Sequence, residues 1–98
     1  MKKLLFLLFF VVSFNSLGQT FDEYYQSGFN KAEDGDYYGA IADFTKAIEL
    51  DPNYVSAYVF RGSAKDNLGD LRGACADWKK ASNLGYANAE KWVAEQCN

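Results

Sequence analysis

The chain has 98 residues, ten Lys or Arg against 13 Asp or Glu, and no histidine. A chain of this size carries one small domain, and the missing imidazole removes the commonest general base and the commonest zinc ligand. A net charge of −3 supplies no basic stripe for phosphates, which argues against nucleic acid as a partner.

The first element in chain order reads as a leader. Met1-Lys2-Lys3 is basic, the run from Leu4 to Val12 is apolar with Phe14 behind it, and Asn15-Ser16-Leu17-Gly18 is polar and small. Ser16 and Gly18 stand at minus three and minus one of a cut before Gln19, which completes the layout of a secretory signal peptide over residues 1–18. Its apolar core of about ten residues falls short of the ~20 that a spanning helix needs, and an uncleaved anchor is the alternative. The expectation is a periplasmic or secreted protein with no stable membrane anchor after cleavage, its domain covering 19–98. That mature chain would hold 80 residues, with 8 basic against 13 acidic ones and a net charge of −5.

Thr20-Phe21-Asp22-Glu23 has the Thr-x-x-Glu form of a capping box and predicts a first helix over 21–34, closed by Gly35. Asp36 predicts the N-cap of a second helix running to about Leu50 and stopped by Asp51-Pro52. Asn53 is the expected cap of a third over 55–68, ended by Gly69. Asp70 caps a fourth to about Leu84, with Gly85 as its left-handed C-terminal residue. A fifth, shorter helix spans 87–97. Connections of two to five residues make antiparallel helix hairpins, so the fold class is all-α.

A step of 34 residues runs through these elements. Tyr24 pairs with Tyr58, Gly28 with Gly62, Lys31 with Lys65, Gly35-Asp36 with Gly69-Asp70, and Gly39-Ala40 with Gly73-Ala74. Ala42-Asp43 pairs with Ala76-Asp77, Lys46-Ala47 with Lys80-Ala81, and Leu50 with Leu84, while Phe44 and Trp78 match in kind. Such a period marks a helix-turn-helix array in which each unit buries its apolar face against the next. Gly28, Gly62, Ala40 and Ala74 would let the helices of a unit approach, and Tyr24, Phe44, Tyr58 and Trp78 would fill the core. Gly39 and Gly73 sit in the first turns of helices, where glycine is unfavourable, for no reason visible in the pattern.

These residues resemble the tetratricopeptide repeat. Its motif falls on Tyr24, Gly28, Gly35, Tyr37, Ala40, Phe44, Ala47 and Pro52 in the first unit. In the second it falls on Tyr58, Gly62, Gly69, Leu71, Ala74, Trp78 and Ala81, and Tyr86 stands where the closing proline should be. The resemblance divides the domain into repeat 1 at 21–54, repeat 2 at 55–86 and a capping helix at 87–97. The run Gly73-Ala-Cys-Ala-Asp-Trp-Lys-Lys-Ala81 with Leu84-Gly85 and a final Cys is similar to small secreted bacterial members of the family.

Cys75 and Cys97 are the two cysteines. They stand ten residues before and twelve after Gly85, so a fourth and fifth helix folded together bring them level. In an oxidising compartment they would form a disulfide clamping the last helix to the second repeat. A buried thiol at Cys75 with a free Cys97 is one alternative, and a redox-active pair is another. Asp36, Asp43, Asp70 and Asp77 recur at repeat spacing and read as caps or solvated helix residues rather than a catalytic pair. Glu33-Asp34 with Asp36 lacks the spacing of a calcium loop. No catalytic residue, metal site or cofactor is expected, and the chain reads as non-enzymatic.

The family resemblance implies a concave groove lined by the first helices of both units and receiving a peptide or protein. The matching positions are Asp22, Tyr25, Phe29, Ala32 and Glu33, then Ser56, Val59, Ser63, Asp66 and Asn67. Tyr25 and Phe29 replace the Lys and Asn with which some relatives grip a terminal carboxylate, so that clamp is absent. Tyr25, Phe29 and Val59 are the expected apolar anchor, with Glu33, Ser63 and Asp66 beside them. Packing of Phe29 against the second unit is the bland alternative. The competing function is self-association as a homo-oligomer, by stacking end on end or by pairing through the grooves, with the outer side of the first helix and the flank of the last one, where Trp92 is a candidate, carrying the contact.

Overall fold

The computed structural model describes residues 20–97, and the expected leader with its cut before Gln19 lies outside the described residues. Within them the chain forms five α-helices and no strand: α1 (Phe21–Glu33), α2 (Tyr37–Leu50), α3 (Val55–Asn67), α4 (Leu71–Asn83) and α5 (Ala87–Gln96). Each ends within one residue of the position its sequence signals predict. The helices follow one another as antiparallel pairs, α1 on α2, α3 on α4, with α2 against α3 and α5 against α4.

One C-terminal device is used three times. Gly35, Gly69 and Gly85 have φ of +83°, +84° and +103°, the left-handed region a side chain resists. After each, the chain turns back on itself: Asp36 N–H bonds Lys31 C=O at 2.8 Å, Asp70 N–H bonds Lys65 C=O at 2.9 Å, and Tyr86 N–H bonds Ala81 C=O at 3.0 Å. Together with the shorter-range bonds from the three glycine N–H groups, this satisfies carbonyls that each helix end would leave bare.

The N-termini explain the two misplaced glycines. Asp36 accepts from Gly39 N–H at 3.0 Å and Asp70 from Gly73 N–H at 2.9 Å. A Cβ on either glycine would collide with that same capping carboxylate. Glycine is therefore the residue that lets an aspartate fold tightly over the first turn. At α1 the cap is Thr20, whose Oγ1 accepts from Glu23 N–H at 3.4 Å. The cap of α3 is Tyr54 and not Asn53. Asn53 N–H is instead held at 3.1 Å by Asp51 Oδ1, and Tyr54 makes no side-chain cap bond. Its hydroxyl is engaged with α1.

Inside each unit the small residues face the large ones. A Cβ on Gly28 would lie 2.9 Å from the Phe44 ring and 3.2 Å from Ala40 O; one on Gly62 would lie 2.6 Å from Trp78 Nε1 and 3.2 Å from Ala74 O. Phe44 is fully buried, and Tyr58 and Trp78 are buried. Trp78 Nε1 donates to Val59 O at 3.3 Å and Tyr58 hydroxyl to Pro52 O at 2.9 Å, so both aromatic polar atoms are satisfied inside the core. Tyr24, expected in the core, is only half-buried. Its counterpart Tyr58 has α2 packed before its own helix, a neighbour that α1 lacks among the described residues.

The period reaches α5 as well. Trp92 stands 34 residues beyond Tyr58, and its ring packs 5.7 Å from Trp78 and 5.8 Å from Tyr86. So α5 docks on α4 as α3 docks on α2, and Trp92 faces the core rather than an exposed flank. A disulfide joins Cys75 in α4 to Cys97 at the end of α5, with Cα atoms 5.7 Å apart. Cys97 lies one 34-residue step beyond Ser63, and Cys75 one step beyond Ile41. The bond thus ties the second repeat to the helix that follows it.

Candidate functional site

The first helices of the two units meet through aromatic rings. Tyr25 of α1 is the centre, with ring centroids 6.4 Å from Phe29, 5.8 Å from Phe44, 5.0 Å from Tyr54 and 6.1 Å from Phe60. Phe29 meets Phe60 edge-on at 5.4 Å, and Phe21 meets Tyr54 edge-on at 5.0 Å. Offset and edge-on pairs satisfy the ring quadrupoles, each adding about 0.5–1.5 kcal/mol beyond area burial. Phe44 underlies the patch from the core, while Phe21 and Phe60 each remain 36 % exposed. Tyr25, Phe29 and Tyr54 are half-buried.

Polar atoms fix the rings in place. Tyr54 hydroxyl donates to Asp22 Oδ1 at 3.0 Å. Burial, and then that bond to a carboxylate, push the Tyr54 phenol up to about 12. Burial also raises Tyr25, against a hydrogen bond with the Ser56 side chain that lowers it. Both phenols stay neutral at ordinary pH and present hydroxyl groups rather than charge.

The expected groove residues divide. Tyr25 and Phe29 lie together as predicted, and Phe29 also packs on the second unit through Phe60, so the bland alternative is partly right. Glu33 and Asp66 are exposed at the ends of their helices. Val59 is not part of the surface. It is 6 % exposed, in the cluster of Tyr58, Ala74 and Trp78, and its carbonyl accepts from both Trp78 and Ser63 Oγ. Ser63 is half-buried and turned back along its own helix. The residue that meets α1 is Phe60, one position further on. A run of four apolar residues, Ala57 to Phe60, covers more than one helix face and hinted at it; Gln26, its counterpart one repeat earlier, hid it.

A second cluster joins the helices within each unit. In repeat 1, Asp43 takes a hydrogen bond from Ser27 Oγ at 2.6 Å and an ion pair from Lys31 at 3.0 Å. In repeat 2 the same positions hold Arg61, Lys65 and Asp77. Arg61 grips both Asp77 oxygens, at 2.9 and 2.6 Å, and Lys65 adds a contact at 3.0 Å. Arg61 Nη1 also donates to Thr45 Oγ1 of the preceding unit at 3.1 Å. Asp77 is 3 % exposed, which overturns its reading as a solvated residue. Burial of that carboxylate is tolerated because three donor groups of two cations surround it. Among the described residues no group of three His, Cys, Asp or Glu is placed to hold a metal ion, and no helix is long and apolar enough to cross a membrane.

The sequence profile described as tetratricopeptide repeat matches residues 24–54. The chain is 39% identical over 64 residues to a protein named tetratricopeptide repeat protein 36 homolog, from Nematostella vectensis. The chain carries a tetratricopeptide repeat. The first alignment takes in 65% of this chain and 35% of the relative. Tetratricopeptide repeat protein 36 of Danio rerio is 40% identical over 57 residues, 58% of this chain and 30% of that one. RNA polymerase II-associated protein 3 of Xenopus tropicalis is 43% identical over 54 residues, 55% of this chain and 8% of that one. The chain therefore spans about a third of the length of the first two relatives. Tetratricopeptide repeats generally mediate protein–protein interaction, and proteins of the family are typically non-catalytic scaffolds.

Proposed function

We propose that this chain is a non-catalytic interaction module that binds a peptide or protein through the aromatic face of α1 and α3. The observation that carries the reading is the cluster of Tyr25, Phe29, Tyr54 and Phe60, packed at its base and open at Phe21 and Phe60. Partly exposed aromatic side chains held rigid by their neighbours are the usual anchors of protein interfaces. Trp92, one residue considered for end-on self-association, packs inward on Trp78 and Tyr86 and supplies no contact for it.

The reading includes export to the periplasm or the medium. It rests on the leader layout of residues 1–18 and on the Cys75–Cys97 disulfide, which an oxidising compartment sustains. Affinity capture from an extract of the exported fraction, using the immobilised protein, tests the binding surface. The captured protein should disappear with Phe29→Ala plus Phe60→Ala; unchanged capture by a folded variant removes the surface. An intact mass of the exported protein beginning at Gln19 tests the leader, and a mass retaining Met1 counts against cleavage.

A further inference from the structure

The two first helices use their charges unequally. Their cations are Lys31 on α1 and Arg61 and Lys65 on α3, and each is closed on a carboxylate of its unit's second helix. Lys31 meets Asp43 at 3.0 Å, Arg61 meets Asp77 at 2.6 Å and Lys65 meets Asp77 at 3.0 Å. Their acids are spent differently. Asp22 lies at one end of the aromatic patch, where it takes the Tyr54 hydroxyl. Tyr25, Phe29 and Glu33 follow at four-residue steps, which places them on one stripe of α1. Glu33 closes that stripe at the other end of α1, where it is exposed. The face is therefore aromatic in the middle and anionic at both ends, while the nearby positive charge is held on other carboxylates.

We infer that this face docks an extended, positively charged peptide segment, with Lys or Arg side chains lying over the rings and reaching the acidic ends. The inference rests on the proposed use of this face for partner binding and adds the chemistry of the partner. Cations are drawn both to carboxylates and to aromatic faces, most strongly where rings are partly desolvated. Charge complementarity also opposes other occupants: a second copy would set Asp22 and Glu33 against their own like charges, and an acidic tail would meet the same repulsion. From Asp22 to Glu33 is about 16 Å along a helix, which an extended chain spans in about five residues. Two cationic residues spaced by about that number fit the two ends best.

Calorimetric titration of the full chain with three capped ten-residue peptides tests this. They share a Leu-Pro-Val-Leu centre and carry lysine, glutamine or glutamate at positions 3 and 8. The lysine peptide should bind at least tenfold tighter than the other two and weaken severalfold between 50 and 300 mM salt, as screened charges do. Glu33→Lys, at an exposed position, should remove that preference while leaving the far-UV circular dichroism unchanged. Equal binding of all three peptides, lost on Phe60→Ala, would overturn the charge inference and leave the binding surface standing. No binding of any peptide, or binding indifferent to Phe60→Ala, would overturn both. A dimer in sedimentation that the lysine peptide fails to dissociate would give the face to a second copy and also overturn the inference. A carbodiimide crosslink within one chain, from Lys2 or Lys3 to Glu33, that the peptide fails to suppress would do the same in favour of the chain's own N-terminal segment.

Discussion

Arg61 holds Asp77 by two points, Nη2 at 2.6 Å from Oδ1 and Nε at 2.9 Å from Oδ2. The third guanidinium nitrogen reaches Thr45 at 3.1 Å, so one side chain joins α2, α3 and α4. Repeat 1 offers an internal control at the same positions, because Asp43 faces the more exposed Lys31 and a serine. Asp77→Ala strands two cations near the core and should destabilise by about 3 kcal/mol, whereas Asp43→Ala should cost about 1 kcal/mol or less. Urea denaturation of both variants measures the difference. Equal losses would mean that the buried cluster has no special hold on the fold.

Gly39 and Gly73 predict a reversal of an ordinary rule. Glycine to alanine in a helix normally stabilises by about 0.8 kcal/mol, but here the new Cβ would evict a capping carboxylate whose loss costs about 1 kcal/mol. Gly39→Ala alone should therefore bring no gain. In an Asp36→Ala background, where the cap is already gone, the same change should stabilise by about 0.5–1 kcal/mol. A double-mutant cycle by thermal or chemical denaturation reads the coupling directly. Additive effects would sink this account of the glycines.

The bond between Cys75 and Cys97 closes a loop of 22 residues onto α5. Cys75→Ala with Cys97→Ala, or reduction with dithiothreitol, should lower stability by about 3 kcal/mol on loop-entropy grounds. Hydrogen exchange should locate the loss in α5, because only the packing of Ala89, Trp92 and Val93 would then hold that helix. A loss spread evenly over α1 to α4 would contradict the clamp.

Tyr54 carries a pH signature. Its phenol is raised to about 12 by burial and by donation to Asp22, against 10.0 when unfolded. The folded chain thus keeps a proton that the unfolded chain loses between those values. The contribution is whole below pH 10.0 and declines as pH rises through about 12. Tyr54→Phe should flatten this part of the stability curve relative to the parent, and absorbance at 295 nm should show one late-titrating tyrosine fewer. Identical alkaline profiles would place Tyr54 outside the linkage.

Helix ends were readable because they rest on residues with few alternatives: glycine at a left-handed position, aspartate over bare amides. The choice between Val59 and Phe60 was not readable in that way. They are adjacent on α3, and their roles depend on where Trp78 seats, since its indole bonds the Val59 carbonyl and takes Val59 into the core. The burial of Asp77 was equally hidden. An aspartate at a repeat position resembles a surface residue until Arg61, whose counterpart Ser27 is uncharged, is seen wrapped around it.

The meeting of α1 and α3 mainly through rings has a geometric consequence. Phe29 against Phe60, and Tyr25 against Tyr54, stand between two helices that both pack on α2. These rings act as spacers at an open angle, so their bulk sets how sharply one unit bends towards the next. Trimming Phe60 would let the helices swing together and tighten the curvature, whereas a wider ring would flatten it. The aromatic face is thus both the surface presented to a partner and the wedge that decides its shape.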